Sequence, residues 1–409
     1  MAKQKITSDK TLLDNINATA LKLLANCHAS EWAGYDPYDA LNSGIFKILP
    51  FLDFKLFRLS LTQLMKRLPF DLRPLLLVPR TQNPKGIALF LIACLKISKH
   101  DNSSGDKAFL DELTERLIVL RSKNSSYWCW GYSFPWQTRT ILVPRGEPNL
   151  VCTTFVANAL LDAYEKTQES RYLDMATSAA DYILNELFWT QGDSVAGFCY
   201  PLPSSKAKVH NANFLGAALL CRVYKHSGDN KYLEPALKVT RYSADKQDED
   251  GSWVYGEHPT QHWIDNFHTG YNLLALRSIC RDAETSEFEG HIRRGFEFYR
   301  NNFFREDGAP KYFHNRTYPI DIHSVAQSII TLTELRDLDE KSVPLAFSVF
   351  RWAMAHMWDE RGYFYYRVLP FGTVKISYMR WSQAWMLLAL TTLLEGCDHV
   401  TSDANIGAL

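Results

Sequence analysis

Six stretches of the chain repeat one hydrophobic pattern: a polar or aromatic cluster, then a run that is apolar nearly all round at helical period. They are NPKGIALFLIACLKI from Asn83, NLVCTTFVANALLDAY from Asn149, HNANFLGAALLCRVY from His210, DNFHTGYNLLALRSI from Asp265, DIHSVAQSIITLTEL from Asp321 and MRWSQAWMLLALTTLL from Met379. Helices buried on both sides read this way, because no face needs to be polar. Successive starts lie 66, 61, 55, 56 and 58 residues apart, a period that holds two helices and two loops. Between the runs lie more amphipathic segments, such as 170–187 and 230–247.

Those second helices end in glycine-marked, aromatic-rich loops: Trp130-Gly131-Tyr132, Gly197-Phe198-Cys199-Tyr200, Gly251-Ser252-Trp253, Gly308-Ala309-Pro310 and Gly362-Tyr363-Phe364-Tyr365. Glycine is the usual stop after a helix, and the aromatics behind it suit a short extended arm. A helix over 11–27 supplies the twelfth by packing against the last. No polar capping repeat is visible, so an open solenoid would leave apolar faces bare. The expected architecture is therefore all-α: a closed (α/α)6 toroid, one domain over 1–409, with inner helices starting near residues 84, 151, 213, 267, 322 and 380. Every glycine-aromatic loop precedes an inner helix, which gathers these loops and the inner N-termini at one rim. Such N-termini attract anions.

Composition narrows the function. Lys plus Arg and Asp plus Glu stand at 45 each, which gives no electrostatic reason to bind nucleic acid. Eight scattered cysteines without a CxxC read as reduced thiols and point to a cytoplasmic protein with no zinc site. The basic start lacks the apolar core, about 7–15 residues long, of a signal peptide. The densest apolar run, Ile87 to Leu95, is about half of a bilayer span. Aromatic residues are the unusual class, at 13% with 11 Trp.

Candidate chemistry concentrates at the presumed rim. In GYDPYDALNS (34–43), Asp36, Tyr38 and Asp39 cluster in a turn-rich stretch; they are either a capped helix entry or rim carboxylates for acid–base work. In Trp263-Ile264-Asp265-Asn266-Phe267-His268-Thr269, Asp265 or Asn266 suits a cap, and His268 falls about one turn beyond Asp265, as a base with its orienter would. Asp321-Ile322-His323 repeats the theme one hairpin later, with Gln327 a turn further on. Glu257-His258 forms a loop pair. Arg380 beside Trp381 suits a sugar carboxylate or phosphate, since guanidinium binds it bidentately while indole stacks on the ring. Trp130, Trp136, Trp253, Trp263, Tyr312 and Tyr366 extend the aromatic supply, some of it expected in the core. The candidate catalytic groups are thus Asp39, Asp265, His268, Asp321 and His323. Asp36, Arg380, Trp381 and the aromatics are candidate substrate contacts.

The stretch from Gly44 to Arg80 departs from the repeat, with seven Lys/Arg, two Asp and many Phe and Leu. A basic amphipathic excursion of this kind either packs on the ring with its lysines solvated, or lies on an anionic membrane surface at the periphery.

From about residue 30 to 395 the chain resembles the all-helical toroid proteins encoded in bacterial exopolysaccharide loci, on GYDPYDALNS, LRPLL with NPKGIALFL, and WIDNFHTG. The run Asp265-Asn266-Phe267-His268-Thr269 also resembles the Asp-Tyr-His-Thr-Thr run of glucuronyl C5-epimerases, with phenylalanine here in place of tyrosine. The six-hairpin plan is similar to that of glycosidases, polysaccharide lyases and N-acylglucosamine 2-epimerases. These resemblances imply a carbohydrate-active enzyme of glycan biosynthesis, a hydrolase, lyase or uronate epimerase, acting on an oligosaccharide or lipid-linked glycan without metal or cofactor. Two other readings remain. One is a non-catalytic glycan-binding scaffold. The other is a terpene-cyclase-like or prenyl-binding enzyme, which Gln247 to Trp253 resembles in its glutamine–tryptophan spacing, although the acidic DxDD motif is absent.

Overall fold

The computed structural model describes residues 2–97 and 104–406. Its inner helices are α4 (Pro84–Ile97), α6 (Leu150–Thr167), α8 (His210–Ser227), α10 (Asn266–Asp282), α12 (Ile322–Glu334) and the last, which opens as a π-helical segment (Met379–Ala384) and continues as α14 (Trp385–Ile406). Each packs against the next, and α14 packs against both α12 and α4, so the ring closes. The outer helices are α1 (Ala2–Ala29), α5 (Ser104–Val119), α7 (Ser170–Tyr182), α9 (Asn230–Ala244), α11 (Glu289–Asn302) and α13 (Ser342–Met357). Each outer helix lies on one inner helix, with α1 on α14. The chain is therefore an (α/α)6 toroid, all-α in its core.

Local chemistry sets the inner starts. The Asn149 side chain accepts from Cys152 N at 2.9 Å, Asp265 from His268 N at 3.0 Å and Asp321 from His323 N at 3.0 Å. Each satisfies a helix N–H that would otherwise be orphaned. The helix α8 ends at Gly228, left-handed at φ +69°. The apolar flanks of the inner helices, such as Ile87 to Leu91 and Leu219 with Leu220, are buried in one continuous core. Each large side chain of this kind contributes about 1.5–3 kcal/mol.

The strands are short and belong to the rim. They are β1 (Trp136–Gln137) with β2 (Leu142–Val143), β3 (Phe188–Gln191) with β4 (Val195–Phe198), β6 (Trp358–Asp359) with β7 (Tyr363–Phe364), and a three-stranded group of β5 (Ile320–Asp321), β8 (Arg367–Leu369) and β9 (Gly372–Val374). The turn at Gly251 needs glycine: its φ is +91°, and a Cβ there would meet Arg294 O at 2.3 Å.

The 44–80 excursion forms two short helices, α2 (Ile45–Ile48) and α3 (Lys55–Arg67). Its apolar inner side is a separate small cluster of Ala40, Leu61, Met65 and Val78. No disulfide joins cysteines among the described residues, and all eight cysteines are buried. Among the described residues no helix is long and apolar enough to cross a membrane.

Candidate functional site

One large cavity of about 1010 Å³ opens among the loops that precede the inner helices. Its wall includes Tyr38, Lys85, Tyr132, Trp136, Tyr200, Tyr255, Trp263, Asp265, His268, Tyr271, Tyr312, His323, Arg380 and Trp381. Of the sequence candidates, Asp265, His268, His323, Trp136, Trp263, Tyr312, Arg380 and Trp381 therefore meet at one place, contributed by three inner-helix starts, the loops before α10 and α12, and, for Trp136, the loop before α6.

Asp265 and His268 form the best-ordered acid–base pair. The cap at Asp265 points its carboxylate back along α10, and Oδ2 lies 2.7 Å from His268 Nδ1. That same oxygen accepts from Trp263 Nε1 at 3.0 Å. The carboxylate is buried, whereas the imidazole keeps 22% exposure. Nδ1 is thereby engaged with the carboxylate, and Nε2 has no protein partner among the described residues. Tyr255 stacks on Trp263 with centroids 4.6 Å apart and packs against His268 at 4.7 Å, fixing the ring's other side.

Across from this pair, His323 Nε2 lies 2.6 Å from Tyr271 Oη. Its ring is held by Phe267, Trp381 and Trp385 at centroid distances of 4.6, 4.4 and 4.6 Å. Burial above all, with the Arg380 cation adding to it, pushes its pKa well below the ordinary histidine value, so it is neutral. Burial likewise holds the phenols of Tyr132, Tyr255, Tyr271 and Tyr312 well above their ordinary value. They stay protonated and are available as donors.

The wall is basic. Lys85, Arg139, Lys206, Lys208 and Arg380 face only two acids, Asp265 and Glu257. Asp265 is engaged as described, and Glu257 accepts from Tyr242 Oη and lies 3.3 Å from Lys208 Nζ. Arg380 is buried and held by Asp36, which accepts from Nε at 2.7 Å and Nη2 at 2.8 Å. Asp36 thus lies behind the cavity wall as the partner of Arg380. Burial opposes the Arg380 charge, but Asp36 more than offsets it and raises the pKa.

Other candidates lie elsewhere, each for a stated reason. Asp39 is buried against Arg73, whose Nε donates at 2.7 Å, and does not line the cavity. Asp321 is fully satisfied: Oδ1 accepts from His323 N and Trp381 Nε1, and Oδ2 from Arg367 Nη2 at 2.8 Å. It positions Trp381 and leaves no oxygen for substrate. Trp130 and Trp253 are core residues whose indole N–H groups donate to Leu117 O and Ser243 O. Tyr366 is buried and packs edge-on against Tyr378. His258 lines the cavity mouth, with Nδ1 2.9 Å from Thr260 Oγ1.

Lys85 is the group that sequence reasoning passed over. It sits in the first turn of α4, buried, with Nζ 3.9 Å from the Phe155 ring centroid and 5.4 and 5.2 Å from those of Tyr271 and Trp385. No carboxylate pairs with it among the described residues. Burial first, and Arg380 second, lower its pKa well below the ordinary lysine value. The visible signal was a lysine opening an otherwise apolar inner helix. A group lowered on folding is unfavourable wherever the unfolded chain still holds the proton, and that cost fades as pH rises to about 10. Lys85→Met should therefore raise the melting temperature at neutral pH by about 2 °C or more, with the gain shrinking toward pH 10, while turnover falls. A pH series of thermal melts on both proteins checks this.

Three buried polar atoms of the wall have no protein partner: Trp136 Nε1, Asn211 Oδ1 and His323 Nδ1.

Solved structures of sugar-acting enzymes share this toroidal fold. Cellobiose 2-epimerase from Spirochaeta thermophila matches at TM-score 0.60 and 12% identity, over 78% of this chain and 87% of that one. The GH76 α-mannanase of Bacteroides thetaiotaomicron matches at 0.60 and 13%, over 78% and 88%. Unsaturated glucuronyl hydrolase from Streptococcus agalactiae matches at 0.59 and 10%, over 93% and 90%. At these identities the likeness establishes the fold. No family model matches the chain, and no curated protein matches its sequence.

Proposed function

We propose that the protein is a saccharide-acting enzyme that abstracts a proton from the sugar carbon next to a carboxylate or carbonyl, and that its overall reaction is epimerisation. The carrying observation is the Asp265–His268 pair, whose partly exposed imidazole has Nδ1 held by the carboxylate and lines a cavity with a basic wall. His268 Nε2 takes the C–H proton, and the electron pair moves onto the adjacent oxygen. Arg380 and Lys85 lie where that developing charge is stabilised, and Tyr271, paired with neutral His323, is the donor that returns a proton.

Hydrolysis would require two carboxyl groups facing each other across the scissile bond. The two acids of this wall are both engaged, one by His268 and Trp263, the other by Tyr242 and Lys208. The basic excess favours an anionic saccharide such as a uronate. Aromatic faces at Trp263, Trp381 and Tyr312 suit stacking on sugar rings. The sugar epimerases among the fold neighbours support a carbohydrate substrate, and the resemblance to exopolysaccharide-locus proteins favours a role in glycan assembly. Eight buried cysteines with no disulfide among the described residues fit a reducing, cytoplasmic setting.

The test is incubation with uronate-containing oligosaccharides in heavy water, followed by mass spectrometry and NMR. One deuteron per turned-over residue, at the carbon beside the carboxylate, with inverted configuration, is the expected result. Cleavage products without deuterium at that carbon would mean hydrolysis instead, and stable binding without exchange would mean a glycan-binding protein.

A further inference from the structure

Large apolar side chains are seldom left in water together, and a contiguous exposed group marks a surface that something covers. Here the exposed ones crowd into the excursion. Ile48, Phe51, Phe54, Leu56, Leu64, Phe70, Leu75 and Leu77 are all exposed, with Phe51 at 73%, Leu56 at 71% and Leu75 at 79%. The excursion buries one side, through Leu61, Met65 and Val78, and turns the other outward. It does not hide its greasy residues on the ring, which is what a merely structural insertion would do.

Charge decides what covers them. Lys47, Lys55 and Arg67 are exposed on the same segment, and none pairs with a carboxylate among the described residues. The segment's two acids are already neutralised: Asp53 lies 2.9 Å from Arg58, and Asp71 lies 3.3 Å from Arg73. Two copies of this face would bring like charges together, which disfavours self-association. An anionic bilayer satisfies both halves of the surface, taking the phenylalanines and leucines into the acyl boundary and the lysines onto phosphate.

Position adds a consequence. Arg58 Nε donates to Gln137 Oε1 at 3.0 Å, and Lys66 Nζ lies 3.9 Å from the Tyr38 ring centroid. Tyr38 and the neighbouring Trp136 and Thr138 line the cavity, so the excursion borders its mouth.

We infer that residues 45–77 form a peripheral docking surface for anionic phospholipid membranes, which holds the cavity mouth next to the bilayer. On the saccharide reading above, that placement suits a substrate anchored to lipid, with its sugar end reaching the cavity. The docking itself is independent of that reading.

The experiment is flotation of the full chain with vesicles of phosphatidylcholine alone or containing phosphatidylglycerol, at low and high salt. The protein should float with the phosphatidylglycerol vesicles, stay behind with phosphatidylcholine alone, and be released by salt. Lys47→Glu with Lys55→Glu should lower the bound fraction by about fivefold per lysine, and Phe51→Ser with Leu56→Ser and Leu75→Ser by about tenfold or more. Turnover of a free saccharide should not change in either variant, and unaltered melting curves verify folding. Absence of flotation, or equal flotation of the triple serine variant, overturns the proposal. So does a dimer in vesicle-free solution that the serine substitutions dissolve, because a second copy would then own the face. The readout contains no catalysis, so its failure is separate from failure of the epimerase reading.

Discussion

Replacing His268 by glutamine should leave the fold nearly intact and reduce turnover by about 100-fold or more, the usual scale for a lost general acid or base. That corresponds to about 2.7 kcal/mol of transition-state stabilisation. Glutamine fills similar space and keeps a polar end toward Asp265 Oδ2, which still has the Trp263 indole as a donor. The N-cap is untouched, because Asp265 Oδ1 binds the backbone N–H of residue 268 rather than its side chain. The melting temperature should therefore stay within a few degrees of the parent protein. A packed core histidine would behave the other way, losing stability and keeping activity. Deuterium exchange into a uronate substrate, measured beside a thermal melt, separates the two. Full activity in a stable His268→Gln protein ends the base assignment and moves it to His323.

The inner ring was legible because burial on both sides erases the polar face. Starts expected at 84, 151, 213, 267, 322 and 380 fall at 84, 150, 210, 266, 322 and 379. The largest difference, at α8, comes from His210 and Asn211, polar residues that the pattern counted as loop but that the ring buries. The Asp265–His268 contact was legible for a similar reason: a cap and the residue three places on are neighbours by helix geometry alone.

What periodicity does not carry is pairing across the chain. Asp39 and Asp321 are candidate catalytic groups in the sequence, yet Arg73 and Arg367 reach them from 34 and 46 residues away. Nothing in the repeat pattern marks Lys85. Only closure of the ring brings Phe155, Tyr271 and Trp385 around it. The same holds for the excursion, whose composition was plain but whose outward face depends on which side packs.

The largest stability effect should come from Asp36, a residue the cavity itself does not show. Asp36 holds the buried Arg380 through two hydrogen bonds and also accepts from Tyr38 N at 3.0 Å. Asp36→Ala removes the carboxylate and leaves a guanidinium without its counter-charge in the middle of the protein. Breaking a buried pair from one side costs about 3–5 kcal/mol, since the surviving charge keeps its desolvation penalty. Urea unfolding should show this as a large drop in midpoint. Removing both partners is a different experiment. In Asp36→Ala with Arg380→Met neither charge of the pair remains, so most of the lost stability should return. Turnover should not return with it, because the cavity then lacks the cation that the anionic sugar meets. A double variant as unstable as Asp36→Ala alone would mean that the pair supports the fold by its shape and hydrogen bonds to Tyr38, and that charge balance is secondary. A double variant that is both stable and fully active would remove Arg380 from the site.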